Sequence, residues 1–169
     1  MTGVLLFQVV AAPFLIFAAA RDIATRLIPD GVSIAIALAG LASRLLVGWT
    51  EAGLSLAIGC LLFAILLPLA VRGWLGGGDV KLMSAMAVGL APHETWSFIV
   101  ATVFSGGALG IAYIIGRHIV PETRLIAGGT LLRRVLVVEA WRVRRRGPLP
   151  YAVAIAVGGL IVLYTLTGI

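Results

Sequence analysis

Seven acidic residues occur in this chain, and three of them, Asp22, Asp30 and Asp79, stand at the edges of long apolar runs. Asp79 follows three glycines in GWLGGGDVKL, residues 73–82, and Asp22 lies in RDIATRLIPDGV, directly after the first apolar run. A carboxylate at the rim of a membrane bundle is by default a functional candidate. Two of them brought together cannot both ionise readily, so the pair retains a proton. The ionised member then takes a proton from water while the protonated one polarises a peptide carbonyl. That is an acid–base apparatus for peptide hydrolysis. Asp79 is expected to be the base, because a helix N-terminus favours negative charge, and Asp22 the starting acid.

Each aspartate also has a plainer reading. Asp79 has the sequence context of an N-cap, and Asp30, between Pro29 and Gly31, suits a helix start. Asp22 has Arg21 and Arg26 as neighbours to pair with. A cap does not require Gly76, Gly77 and Gly78 together, however. Consecutive glycines remove side-chain bulk and let another chain approach the backbone. The remaining acids, Glu51, Glu94, Glu122 and Glu139, are expected to be solvated or paired with arginines. Cys60 stands alone, without a disulfide or zinc partner, and reads as a small buried hydrophobe. His93 and His118 are isolated and read as helix-end or loop residues. No cofactor and no metal are implied.

The elements that carry these residues follow from composition. Of 169 residues 61% are hydrophobic and 12% charged, and a soluble domain has about twice that charged share. An all-α polytopic membrane protein is expected, with about six transmembrane helices near 3–20, 32–49, 54–71, 78–91, 97–116 and 150–167. The first reads as an uncleaved span, since no positive residue precedes it. Arginines and lysine collect near residues 25, 75 and 135, whereas the gaps at 49–53 and 91–96 carry none. The positive-inside rule therefore places both termini outside and the basic loops in the cytoplasm. Only Arg44, near the outer end of the second span, departs from this segregation. The net charge of +6 is explained by this pattern and does not imply nucleic acid. Within the loop at 117–149, LLRRVLVVEAWRVRRR predicts a basic amphipathic helix lying on the anionic leaflet. Domain organisation is thus a single transmembrane unit, residues 1–169, with that cytoplasmic loop.

Three stretches resemble the type IV prepilin peptidases, membrane aspartic proteases of the GxGD kind. The run from Asp22 to Pro29-Asp30 is similar to the family's first motif. Gly76-Gly77-Gly78-Asp79-Val80-Lys81-Leu82 is similar to GxGDxKL, and LPYAVAIAVGG from Leu149 to a PYGxAxAxG stretch that opens the last helix. Ala152 stands where the third motif often has glycine. The likeness is greatest to the short bacterial form that serves Flp/Tad-type pili.

The resemblance implies that Asp22 and Asp79 are the catalytic pair. Gly76, Gly77, Gly78 and Lys81 would belong to an active-site loop, shaped by the glycines, with Lys81 anchoring the fourth span at the interface. It further implies cleavage of the basic leader from prepilin substrates at the cytoplasmic face of the bacterial inner membrane. Long family members carry an N-terminal region with paired cysteines associated with N-methylation, and this chain is expected to be a peptidase alone. The rivals are a small channel or transporter subunit with boundary carboxylates, and a presenilin-type protease. In the latter the second aspartate sits in a Tyr-Asp pair, whereas Asp22 follows an arginine.

Overall fold

The computed structural model describes residues 2–119, 131–144 and 147–166, with side chains at 2 and 131–134 excepted. All of the described regular structure is helical: α1 (Thr2–Thr25), α2 (Asp30–Leu45), α3 (Trp49–Val71), α4 (Gly77–Gly89), α5 (Pro92–Ile119), α6 (Leu131–Arg144) and α7 (Tyr151–Leu166). Six of the seven stand where an apolar run predicts a span, and α6 occupies part of the basic loop. Glu122 and the arginines at 124, 145 and 146 lie outside the described residues. Helices α1, α3 and α5 are long and apolar enough to cross a membrane, and α7 is a shorter apolar helix. The 13-residue α4 is shorter still.

That short helix forms the centre of the bundle. It packs against α2, α3 and α7, while α1 packs on α2 and α7, and α5 on α7. Asp79, Val80 and every residue from 82 to 89 are buried, so α4 has no lipid-facing side of its own. A helix enclosed by protein does not need to match the bilayer thickness, which explains how 13 residues suffice. Phe7, Leu15, Ile36, Leu82, Met86, Leu90, Phe98 and Ile155 fill the core. Small residues let the helices approach. A Cβ on Gly40 would lie 2.6 Å from the Gly89 backbone, and one on Gly158 2.7 Å from the Thr102 amide. Such contacts supply the packing that holds helices together where lipid is as apolar as the core.

Two expectations are corrected here. Cys60 is exposed on the outer side of α3 rather than buried. In a membrane chain, an apolar surface residue meets lipid and needs no core. Arg44 is buried within α2, bonded to Glu51 Oε2 at 2.5 Å and to Ser55 Oγ at 3.0 Å. Paired in this way, it holds α2 to α3 and need not be counted among the solvated charges that set orientation. Glu51 belongs to the first turn of α3. His93 and His118 lie at the two ends of α5.

Candidate active site

Asp22 lies inside α1, near its end, and not after it. The helix stops because Arg26 takes the left-handed conformation, φ 57°, while its amide still donates to Asp22 O at 2.9 Å. This is a helix-terminating αL residue. An L side chain there costs about 1–2 kcal/mol where glycine would cost none. Asp22 is 7% exposed, and its Oδ2 accepts a 3.1 Å hydrogen bond from the amide of Ala152. Ala152 is in the first turn of α7. The aspartate of the first helix therefore satisfies a free amide of the last one.

Asp79 belongs to the first turn of α4, whose N-cap is Gly76. Asp79 is thus not the N-cap but stands three residues beyond it. Its carboxylate reaches back to accept from the Gly76 amide, as an acid at the third helical position does in a capping box. The approach is close: a Cβ on Gly76 would stand 2.6 Å from Asp79 Oδ2. The other carboxylate oxygen, Oδ1, is buried and has no hydrogen-bond partner. Asp79 is 8% exposed and interacts electrostatically with Asp22, so α1 and α4 bring the two carboxylates into one site.

A helix N-terminus faces each aspartate, α7 for Asp22 and α4 for Asp79. The dipole argument that singled out Asp79 as the base therefore does not distinguish them.

The three glycines divide their roles. Gly76 gives room to the Asp79 carboxylate, and a Cβ on Gly78 would meet Ile28 at 3.1 Å. Gly77 faces open space. Gly77 and Gly78 are already helical, so the irregular backbone is confined to residues 72–76. Gly73, at φ 75°, reverses the chain after α3. Lys81 is not in a loop. It is a residue of α4 whose Nζ meets Asp30 Oδ1 at 2.7 Å, an exposed pair tying α4 to α2. Asp30 itself opens α2 after the N-cap Pro29 and makes no side-chain cap.

Several further residues surround the aspartates. The Arg26 side chain is 15% exposed, and its Nη2 meets Glu139 Oε1 of α6 at 2.5 Å. Glu139 also accepts from the Tyr113 hydroxyl of α5 and from Arg142 Nη1 at 3.2 Å. Arg142 Nη1 in turn donates to Ile23 O of α1 at 2.7 Å. So α6 is fastened across the ends of α1 and α5, and Arg142 faces protein rather than lipid. The charge of Arg26 acts on both Asp22 and Asp79, and Tyr151 of α7 lies within electrostatic reach of Asp79. The roles of Arg26 and Tyr151 are not legible in their spacing, because each depends on which helix ends meet. Glu139 had a signal, a single acid among arginines.

A family model described as the type IV leader peptidase family matches residues 9–115. That match includes both aspartates and the three glycines and ends within α5, before α6 and α7. Neither a curated protein nor a solved structure matches the chain.

Proposed function

The chain belongs to the type IV leader peptidase family, and from that premise we propose that it is a membrane aspartic endopeptidase with Asp22 and Asp79 as its catalytic pair. The observation that carries this reading is the meeting of two buried carboxylates from α1 and α4, one of them with an unpartnered oxygen. Its substrates are prepilins of the Flp/Tad type, cut at the cytoplasmic face of the bacterial inner membrane. The arginine-rich helix ends around the pair support that orientation, and Gly77, open on its surface, supports access of an extended peptide to the pair.

In the reaction, one carboxylate accepts a proton from water as the water oxygen bonds to the peptide carbonyl carbon. The other, protonated, donates to the carbonyl oxygen. Collapse of the tetrahedral adduct breaks the C–N bond, and the amine leaves with a proton returned by the pair. Since two interacting carboxylates titrate as a unit, the proton belongs to the pair and not to a fixed member.

The test is leader removal from a co-expressed prepilin by wild type, Asp22→Ala and Asp79→Ala, read by product mass and N-terminal sequence. Loss of cleavage in both variants, with the proteins still folded in the membrane, is expected. Normal cleavage by either one rules out the pair. Membrane vesicles from the wild-type cells, assayed for proton or cation flux, test the channel alternative.

A further inference from the structure

Arg26 does more than close a helix. Its backbone is held in the left-handed region and its side chain is largely buried, although a flexible surface arginine would need neither. Glu139 engages Nη2, and that acceptor is itself held in place by Tyr113 and Arg142. Nε and Nη1 are buried without a partner, next to a site where Asp79 Oδ1 is also buried without one. A buried guanidinium N–H that lacks an acceptor is unfavourable, as is an unpaired carboxylate oxygen. Were Arg26 only the counter-ion of a carboxylate, the simplest arrangement would join these atoms to each other. Instead donors and acceptor both remain open in one site. A peptide unit, with one C=O and one N–H, is the group that answers both.

We infer that Arg26 is a substrate-binding residue, whose free N–H groups hold a backbone carbonyl oxygen of the peptide lying between Asp22 and Asp79, with Glu139 keeping the guanidinium in position. This rests on the peptidase reading above. Arg26 donates hydrogen bonds to a peptide unit flanking the one that is cut, so it contributes to binding before chemistry and its loss falls on KM.

The experiment uses the full chain in proteoliposomes with a purified prepilin, comparing wild type, Arg26→Met, Arg26→Lys and Arg142→Met. Arg142→Met removes a second tie between α6 and α1 but leaves the Arg26 donors. Arg26→Met is expected to lower kcat/KM about 10–100-fold, the span of a hydrogen bond made by a charged donor, chiefly through KM. Arg26→Lys, which keeps a charged donor without the fixed fork, is expected to fall between it and wild type. Arg142→Met, which removes one of the two groups holding Glu139 but keeps every Arg26 donor, is expected to lose far less than Arg26→Met. Equal losses in Arg26→Met and Arg142→Met would mean that Arg26 serves only to anchor α6, and would overturn the inference. So would a loss confined to kcat, which would make Arg26 a partner of the carboxylates alone. If Arg26→Met does not fold, as read by thermal melting, Arg26→Lys decides: a raised KM supports the inference and a wild-type KM overturns it. Failure of the underlying reading looks different, since there Asp22→Ala and Asp79→Ala retain cleavage.

Discussion

At one end of the bundle Arg44 is bonded to Glu51 and Ser55, and the Ser55 hydroxyl passes a 2.9 Å hydrogen bond on to Leu90 O at the end of α4. At the other end Arg26 meets Glu139, yet two of its nitrogens and one oxygen of nearby Asp79 are buried without partners. The two regions contain the same chemical types, an arginine, carboxylates and a helix end. Around Arg44 the buried polar groups have protein partners, which is how a buried charge holds helices in register. Around Asp22 and Asp79 the accounts are left open, and open donors and acceptors are what a substrate can use. Burial of charge alone does not separate scaffold from site; between these two buried arginines, satisfaction of hydrogen bonds does. The only other unpartnered buried side-chain atoms among the described residues are the neutral hydroxyls of Ser33, Ser84, Thr95 and Thr102.

Substitutions at the two ends should therefore separate activity from stability. The largest effect is expected for Asp79→Asn, with cleavage falling about 10²–10⁴-fold, as for loss of a general acid or base. Its melting temperature should not fall, because Oδ1 has no native partner to lose; a melt lowered in step with activity would erase the contrast.

Gly76→Ala comes next. Its φ of −69° suits alanine, but the new Cβ would displace Asp79 Oδ2. Cleavage is expected to drop about 10-fold or more, the worth of one charged hydrogen bond, with little change in melting.

Arg44→Met should show the reverse pattern. Ser55 loses its donor and Glu51, which is 46% exposed, turns to solvent. Stability is expected to fall by about 1–3 kcal/mol in detergent unfolding, while turnover per folded molecule holds. The smallest effect belongs to Lys81→Gln, which breaks an exposed pair worth at most about 1 kcal/mol. A large loss of cleavage with Lys81→Gln would bring this residue back into the site.

Much of the helical layout was legible in the sequence, for a physical reason. A backbone in lipid must satisfy its own hydrogen bonds, so apolar runs become helices. The ends were less legible. Helix α1 continues through Arg21, Asp22 and Thr25 because backbone hydrogen bonding does not stop where polarity begins. Cys60 was misread because an apolar residue in lipid has no need of the interior. The roles given to Asp30 and Lys81 separately turned out to be one contact between α2 and α4.

By itself the sequence determined the class of molecule and its short list of acids. In a chain with 12% charged residues, each carboxylate at an apolar boundary is conspicuous, and Asp22 and Asp79 stand out by their surroundings alone. Only the tertiary structure decided their company. That α7 offers the Ala152 amide to Asp22, that Gly76 accommodates the Asp79 carboxylate, and that Arg26 comes close to both depend on how helix ends meet. Local sequence specifies each helix through its own hydrogen bonds. Which ends meet is set by the packing of α4 among its neighbours, and that is a property of the whole bundle.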